Sequence, residues 1–124
     1  MKEHRSIYLS KEQYTEEFNF LFYLLKQDGI ESVPVLFGFA WGNEYGNWSP
    51  IEIQPDDIWK KIEEAEDITG AEFFEHDLFI NASNGEYEIL FCHEHDIHIK
   101  YNKMIPIIDD LLKRWNELKL LRDK

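Results

Sequence analysis

The side chains best suited to chemistry lie in one short segment that runs from Cys92 to His98. The segment holds a thiol, three imidazoles and two carboxylates. Carboxylate, thiol and imidazole are the groups used in nucleophilic catalysis, and the same groups bind zinc. The segment therefore raises two hypotheses, a catalytic nucleophile and a metal site.

The nucleophile hypothesis depends on the strand pairing that the surrounding sequence predicts. In that pairing Asp77, Cys92 and His98 form one row across three strands. No glycine-rich elbow and no helix N-terminus follows Cys92 to stabilise an oxyanion or to lower the pKa of the thiol. The local signatures of known catalytic cysteines are also absent. We therefore expect no catalytic residues and a protein that is not an enzyme, and a small enzyme centred on this segment remains an alternative.

The metal hypothesis rests on residue types rather than on a motif. The spacing contains no paired CxxC and no HExxH. Alternate positions on one strand can chelate a metal, but alternation is what any strand provides. We therefore expect no cofactor, and a metal-binding protein remains an alternative. The candidate ligands are His76, His93, His95, Asp96 and His98.

These groups must be positioned by an antiparallel meander that we predict at about 72–101. Asn84-Gly85 is a strong two-residue hairpin signal, and this turn fixes the register of the first two strands. The apolar residues of both strands then share one face, so turn chemistry and hydrophobic pattern agree. The predicted facing pairs are Ser83 with Glu86, Ile80 with Ile89, Leu78 with Phe91 and His76 with His93.

The third strand carries Ile97, Ile99 and Tyr101 at a period of two. A three-residue loop at 94–96 places these residues on the same apolar face. With that loop, the predicted pairs are Phe91 with Ile99 and His93 with Ile97.

Helical spacing of apolar residues predicts three helices, at about 10–28, 55–68 and 106–120. Ser10 and Gln13 have the spacing of a capping box, and Gly29 suits the left-handed position that ends a helix. A fourth strand is predicted at about 32–40, where Pro34 favours an edge or strand-end position; residues 51–53 are a further short candidate. We expect a single α+β domain over residues 1–124, with an antiparallel sheet of about four strands packed against three helices.

The composition narrows the classes of partner. The chain has 13 Lys and Arg against 25 Asp and Glu, a net charge of −12. Such a surface repels phosphate and anionic lipid, which disfavours nucleic acid and membranes as partners, but it attracts basic proteins. A single cysteine, an N-terminus without an apolar signal core and no apolar run of about 18 residues predict a cytoplasmic location.

Two stretches are candidates for contact with a partner protein. An acidic stretch continues from the second predicted helix into the first meander strand, and an aromatic loop carries large rings that suit interface anchors. These rings could equally fold back onto the core. The candidate partner-binding residues are Glu63, Glu64, Glu66, Asp67, Glu72 and Glu75 in the acidic stretch and Trp41, Tyr45 and Trp48 in the loop.

A small, acidic, aromatic-rich domain with the run Glu63-Glu64-Ala65-Glu66-Asp67 resembles the bacterial immunity proteins of contact-dependent inhibition and polymorphic toxin systems. The resemblance covers the whole chain in size and charge. It implies an inhibitor that binds and neutralises a cognate, basic, nuclease-type toxin domain, with carboxylates in place of substrate phosphates and aromatic rings as anchors. It also implies a monomer or a weak dimer in isolation. A structural subunit or dimerising module that uses the aromatic loop is the remaining alternative.

Overall fold

The computed structural model describes residues 1–42 and 49–122. Within these ranges the chain forms three helices and a six-stranded sheet, so the predicted α+β class is confirmed and the predicted strand number is too low. Two 3₁₀ turns lie at Phe39–Trp41 and Pro55–Asp57. The elements follow the order β1 (Lys2–Arg5), α1 (Lys11–Gln27), β2 (Val33–Phe37), β3 (Ile51–Ile53), α2 (Ile58–Thr69), β4 (Leu78–Asn81), β5 (Tyr87–Phe91), β6 (Ile97–Tyr101) and α3 (Pro106–Glu117).

The sheet has the strand order β1-β6-β5-β4-β2-β3, and all neighbours are antiparallel. The four expected strands form its centre, and β1 and β3 add one strand at each edge. The sequence analysis missed β1 because its residues, Lys2 to Arg5, are all polar and carry no apolar alternation. Since β3 occupies the edge, Pro34 lies in the second strand of the sheet, opposite Glu52.

The first hairpin has the predicted register, with Leu78 opposite Phe91 and Ile80 opposite Ile89. The first meander strand is shorter than predicted, because β4 begins at Leu78 and residues 73–76 form a turn. His76 lies in this turn, where its Nδ1 accepts a hydrogen bond of 2.9 Å from the backbone N–H of Glu72. The predicted pairing of His76 with His93 across two strands is therefore wrong.

The second hairpin differs from the prediction by two residues, because Phe91 faces Ile97 instead of Ile99. Its three-residue loop comprises residues 93–95, one residue earlier than predicted. The backbone N–H of Cys92 donates to the carbonyl of Asp96 at 3.0 Å, and the N–H of His95 donates to the carbonyl of Cys92 at 3.1 Å. His95 takes the left-handed position of this loop with φ 74°.

Helix α1 begins and ends where local chemistry predicts. The Ser10 hydroxyl accepts from the N–H of Gln13, and the Gln13 side chain accepts from the N–H of Ser10. Gly29 follows the helix with φ 71°. Within the described ranges no helix combines the length and the apolar character needed to span a membrane.

The core lies between one face of the sheet and the helices. Phe18 of α1 is fully buried, and its ring contacts those of Phe91 in β5, Trp59 in α2 and Phe73. The inward residues of the strands are buried, whereas Leu36, Phe79 and Leu90 on the opposite face are partly exposed. One face of the sheet therefore provides the hydrophobic core.

A buried ion pair joins α1 to α3. Glu17 of α1 is 2% exposed, and Arg114 of α3 donates to both of its oxygens at 3.0 Å. The indole N–H of Trp115 donates to the same carboxylate at 3.0 Å. The Arg114 guanidinium also lies 4.5 Å from the ring centroid of Phe20. The carboxylate is hydrogen-bonded on both oxygens, the condition under which a buried charge is tolerated.

We expect Glu17→Ala to lower the free energy of unfolding by about 3 kcal/mol, because it leaves Arg114 and the Trp115 indole without an acceptor. This value is at the lower end of the destabilisation usual when one partner of a buried ion pair is removed, because 29% of the Arg114 side chain is exposed to water. Urea denaturation measures the change. The matched control is Glu16→Ala at an exposed neighbouring position, where we expect less than about 0.5 kcal/mol. Equal losses for the two variants would show that the ion pair does not hold α1 to α3.

Candidate functional site

Five chemically active side chains meet where β4, β5 and β6 approach the second hairpin loop, and we call them the hairpin cluster. They form two groups that share the thiol. The ligand-capable atoms of Asp77, Cys92 and His93, the outer triplet, lie within 4.8 Å of one another. Those of Cys92, Asp96 and His98, the inner triplet, do so as well. The structure therefore gathers a thiol, two imidazoles and two carboxylates at one end of the sheet.

Asp77 organises the outer triplet. Its Oδ1 accepts from the backbone N–H of His93 at 2.7 Å and lies 2.8 Å from the Nδ1 of the same residue. Its backbone carbonyl accepts from the N–H of Gly38 and from the indole of Trp41. A Cβ atom on Gly38 would lie 2.9 Å from both Cβ and the carbonyl oxygen of Asp77, so only glycine fits there. The hydrogen bond to Asp77 raises the pKa of the exposed His93.

Asp96 organises the inner triplet, and its surroundings differ from those of Asp77. Asp96 is only 3% exposed. Its Oδ2 accepts from Arg122 at 2.8 Å and lies 3.0 Å from Nε2 of His98. Within the described residues, its Oδ1 is buried and has no hydrogen-bond donor. The carboxylate is therefore satisfied on one oxygen only.

Cys92 lies between the two triplets and is buried. Burial raises the pKa of its thiol to about 11, and the carboxylates of Asp96 and Asp77 add to the rise. The interaction with Asp96 favours the protonated thiol, although it does not reach the geometry of a hydrogen bond to Oδ1. A thiol with a raised pKa is a poor nucleophile at neutral pH. The raised pKa therefore does not favour Cys92 as a nucleophile.

The structure separates the predicted metal ligands. His93 belongs to the outer triplet, and Asp96 and His98 belong to the inner triplet. His76 lies in the turn before β4, and the ring of His95 stacks on Phe74 with a centroid distance of 3.8 Å. Neither of these two histidines lies in a triplet.

The sequence analysis did not name Cys92 and Asp77 as metal ligands. Their proximity follows from the first hairpin register, since the Leu78–Phe91 pair places the preceding Asp77 beside Cys92. The approach of Asp96 to Cys92 follows from the second register, which differs from the prediction. The predicted row of Asp77, Cys92 and His98 is displaced, because His98 pairs with Leu90.

The predicted acidic stretch divides into exposed and structural members. Glu63, Glu64 and Asp67 are exposed on α2, and we call these three the α2 acidic surface. Glu66 is half-buried, and its Oε2 accepts from the backbone N–H of Phe73 at 3.1 Å. Glu72 and Glu75 are exposed in the segment between α2 and β4, where Glu75 lies 3.4 Å from Nε2 of His95.

Of the three aromatic candidates for partner contact, the structure describes only Trp41. Trp41 is fully buried and packs on Phe37, so it belongs to the core and provides no exposed anchor. Tyr45 and Trp48 lie outside the described residues. Large apolar side chains that the sequence analysis did not name as anchors are exposed, among them Phe39 at 78% and Ile68 at 51%. The sequence does not indicate that Phe39 is exposed. Phe39 continues the alternating apolar pattern of β2 past the end of that strand.

Comparisons of the chain with protein-family models, with curated proteins and with solved structures find no match.

We expect Asp77→Asn to lower the pKa of His93 towards its ordinary value of about 6.5. The amide oxygen can still accept from the His93 N–H, so the substitution removes the charge and keeps the acceptor. A raised pKa in the folded state stabilises the protein below the unfolded pKa, about 6.5, and this stability is lost as the pH rises through the folded value. The difference in unfolding free energy between the native chain and the variant should therefore be larger at a pH of about 5.5 than at about 9.

Proton NMR titration of the His93 ring and urea denaturation at both pH values measure these effects. The control is Asp110→Asn on the exposed face of α3, which removes the same charge far from the hairpin. If both variants leave the His93 titration unchanged, the carboxylate of Asp77 does not raise that pKa.

Proposed function

We propose that this chain is an immunity protein that binds and neutralises a cognate, basic, nuclease-type toxin domain. The observation that carries the proposal is the division of α2 into two faces. Ile58, Ile62 and Ala65 are buried against the core, whereas the α2 acidic surface faces solvent. Glu63 and Asp67 are exposed towards a partner, and Glu64, which is also exposed, lies 3.7 Å from Nζ of Lys61.

Exposed apolar side chains lie beside the α2 acidic surface. Ile68 is on α2 itself, and the turn that carries Phe39 packs against the same helix. A Cβ atom on Gly42, just after that turn, would lie 3.9 Å from Cγ2 of Thr69, next to Ile68. Protein interfaces combine apolar anchors with a polar rim. Phe39 and Ile68 are therefore the anchors that we assign to this surface.

The charge of the chain suits a basic partner. A nuclease domain presents positive charge along the path of its phosphate substrate, and carboxylates on a helix can take the place of those phosphates. The net charge of −12 attracts such a domain over a distance, which raises the association rate at low salt. Exposed charges are screened beyond about 8 Å at physiological ionic strength, so the effect should fall as salt is added.

The hairpin cluster also fits a binding protein better than an enzyme. The Cys92 thiol is buried and protonated at neutral pH, since its pKa is raised to about 11. The ring of His93 is engaged by Asp77. The protonated thiol favours a binding protein over an enzyme that uses Cys92 as its nucleophile.

The proposal predicts that a gene beside that of this chain encodes a secreted protein with a C-terminal toxin domain, and the test uses that domain. We expect the double variant Glu63→Lys/Asp67→Lys to weaken binding to that domain about 10-fold, mainly through a slower association rate. Isothermal titration calorimetry and stopped-flow mixing at two salt concentrations measure the effect. Cells that express the toxin should grow when they also express the native chain.

The matched control is Asp110→Lys/Glu117→Lys, two exposed positions on α3 that change the net charge by the same amount. We expect this control to retain most of the affinity and to protect cells. Equal weakening by both double variants would mean that only the overall charge matters and that α2 is not the contact face. If the native chain neither binds the toxin domain nor protects the cells, the proposed function is wrong.

A further inference from the structure

A buried carboxylate oxygen without a donor marks the inner triplet. Burying a polar atom without a hydrogen-bond partner destabilises the folded state, and more so for a charged group, so such atoms are rare in folded proteins. Asp96 Oδ1 is such an atom within the described residues. It belongs to the residue whose ligand-capable atoms lie within 4.8 Å of the Cys92 thiol and the His98 imidazole. An unpaired acceptor beside two soft donor groups indicates a site for a cation.

We propose that Cys92, Asp96 and His98 form a zinc site at the second hairpin. Zinc binds thiolate, imidazole and carboxylate together, usually in a tetrahedron. The thiolate and the carboxylate carry two negative charges, and because Arg122 already pairs with Asp96, the loaded site keeps one net positive charge. The thiol proton passes to the solvent when the zinc–sulfur bond forms, and His98 binds through a neutral ring nitrogen. This site is separate from the α2 acidic surface, and the inference does not rest on the proposed function.

The inner triplet suits a metal better than the outer triplet does. Both carboxylates already have two hydrogen-bond partners, Asp77 on Oδ1 and Asp96 on Oδ2, so the difference between the triplets lies in their burial. In the outer triplet the side chain of His93 is 58% exposed. In the inner triplet the side chains of Asp96 and His98 are only 4% and 12% exposed. Ligands that the surrounding protein restrains lose less conformational entropy when they bind a metal.

Neighbouring groups already orient the inner ligands. Arg122 and His98 contact Oδ2 of Asp96, which leaves Oδ1 as the oxygen without a hydrogen bond. The hydroxyl of Tyr14 donates to the carbonyl of Cys92 at 3.3 Å. In known metal sites, contacts of this kind to the ligand residues orient the ligands and raise the affinity for the metal. The ligand atoms of a zinc tetrahedron lie about 3.5 Å apart, and those of the inner triplet all lie within 4.8 Å of one another.

Three protein ligands leave one position of the tetrahedron open. In metal sites with three protein ligands, water or a substrate group fills this position. Zinc would join Cys92, the residue that follows β5, to His98 within β6. We therefore expect zinc to stabilise the second hairpin.

The test is a zinc titration of the full native chain after removal of metals with a chelator. We expect one equivalent of zinc to bind, as measured by calorimetry and by elemental analysis of the dialysed protein. Cobalt at the same site should give the near-ultraviolet absorption of a cobalt–thiolate bond. Cys92→Ser and His98→Ala should lower zinc affinity by more than the roughly 100-fold loss typical of an outer-contact mutation, and Cys92→Ser should abolish the cobalt–thiolate absorption.

The matched control is His93→Ala, which removes the imidazole of the outer triplet and should keep one equivalent of zinc. The native titration and the cobalt spectrum do not depend on the folding of any variant, and near-ultraviolet circular dichroism checks the variants themselves. The inference is overturned if the folded native chain takes up no zinc. It is also overturned if His93→Ala loses the metal while His98→Ala retains it. None of these measurements needs the toxin domain, so this inference and the proposed function can fail separately.

Discussion

The packing of α1 on one face of the sheet is the interaction on which the rest of the structure depends. Tyr14, Phe18 and Leu21 are fully buried there, and each strand must direct its apolar residues towards them. Because side chains alternate along a strand, this single buried face fixes which residues of every strand point inward. Polar and reactive side chains are thereby placed on the opposite face, where Cys92 and His98 lie.

The two ends of the chain complete the region around the hairpin cluster. Ser6, just after β1, donates its backbone N–H to the carbonyl of Ile97, and its hydroxyl accepts from the N–H of Ile97. Ser6 also forms a β-bridge with Leu121. Arg122 donates its backbone N–H to the carbonyl of Arg5 and its guanidinium to Asp96. Segments distant in sequence thus bury the carboxylate of Asp96, the residue just before β6. The same contacts that close the fold therefore create the environment from which we infer a zinc site.

The α2 acidic surface and the hairpin cluster place their carboxylates in different surroundings. On α2 the carboxylates of Glu63 and Asp67 are exposed, contribute little to folding and remain available for long-range attraction. In the hairpin the carboxylate of Asp96 is buried. Its interactions with neighbouring charges are therefore strong, because little water screens them. A binding surface and a metal site can therefore coexist in one small domain.

The sequence by itself determined the features that local chemistry controls. The Ser10 cap, the helix end at Gly29 and the register of the Asn84-Gly85 hairpin follow from neighbouring residues. It also identified three of the five residues of the hairpin cluster as candidate metal ligands, His93, Asp96 and His98. The sequence did not determine the register of the second hairpin, because a shift of two residues leaves every side chain on the same face of the sheet.

Only the tertiary structure decided which chemically active groups meet. It buried Trp41, exposed Phe39 and brought Arg122 to Asp96. These outcomes depend on contacts between distant segments, whose energies no local pattern of the sequence records.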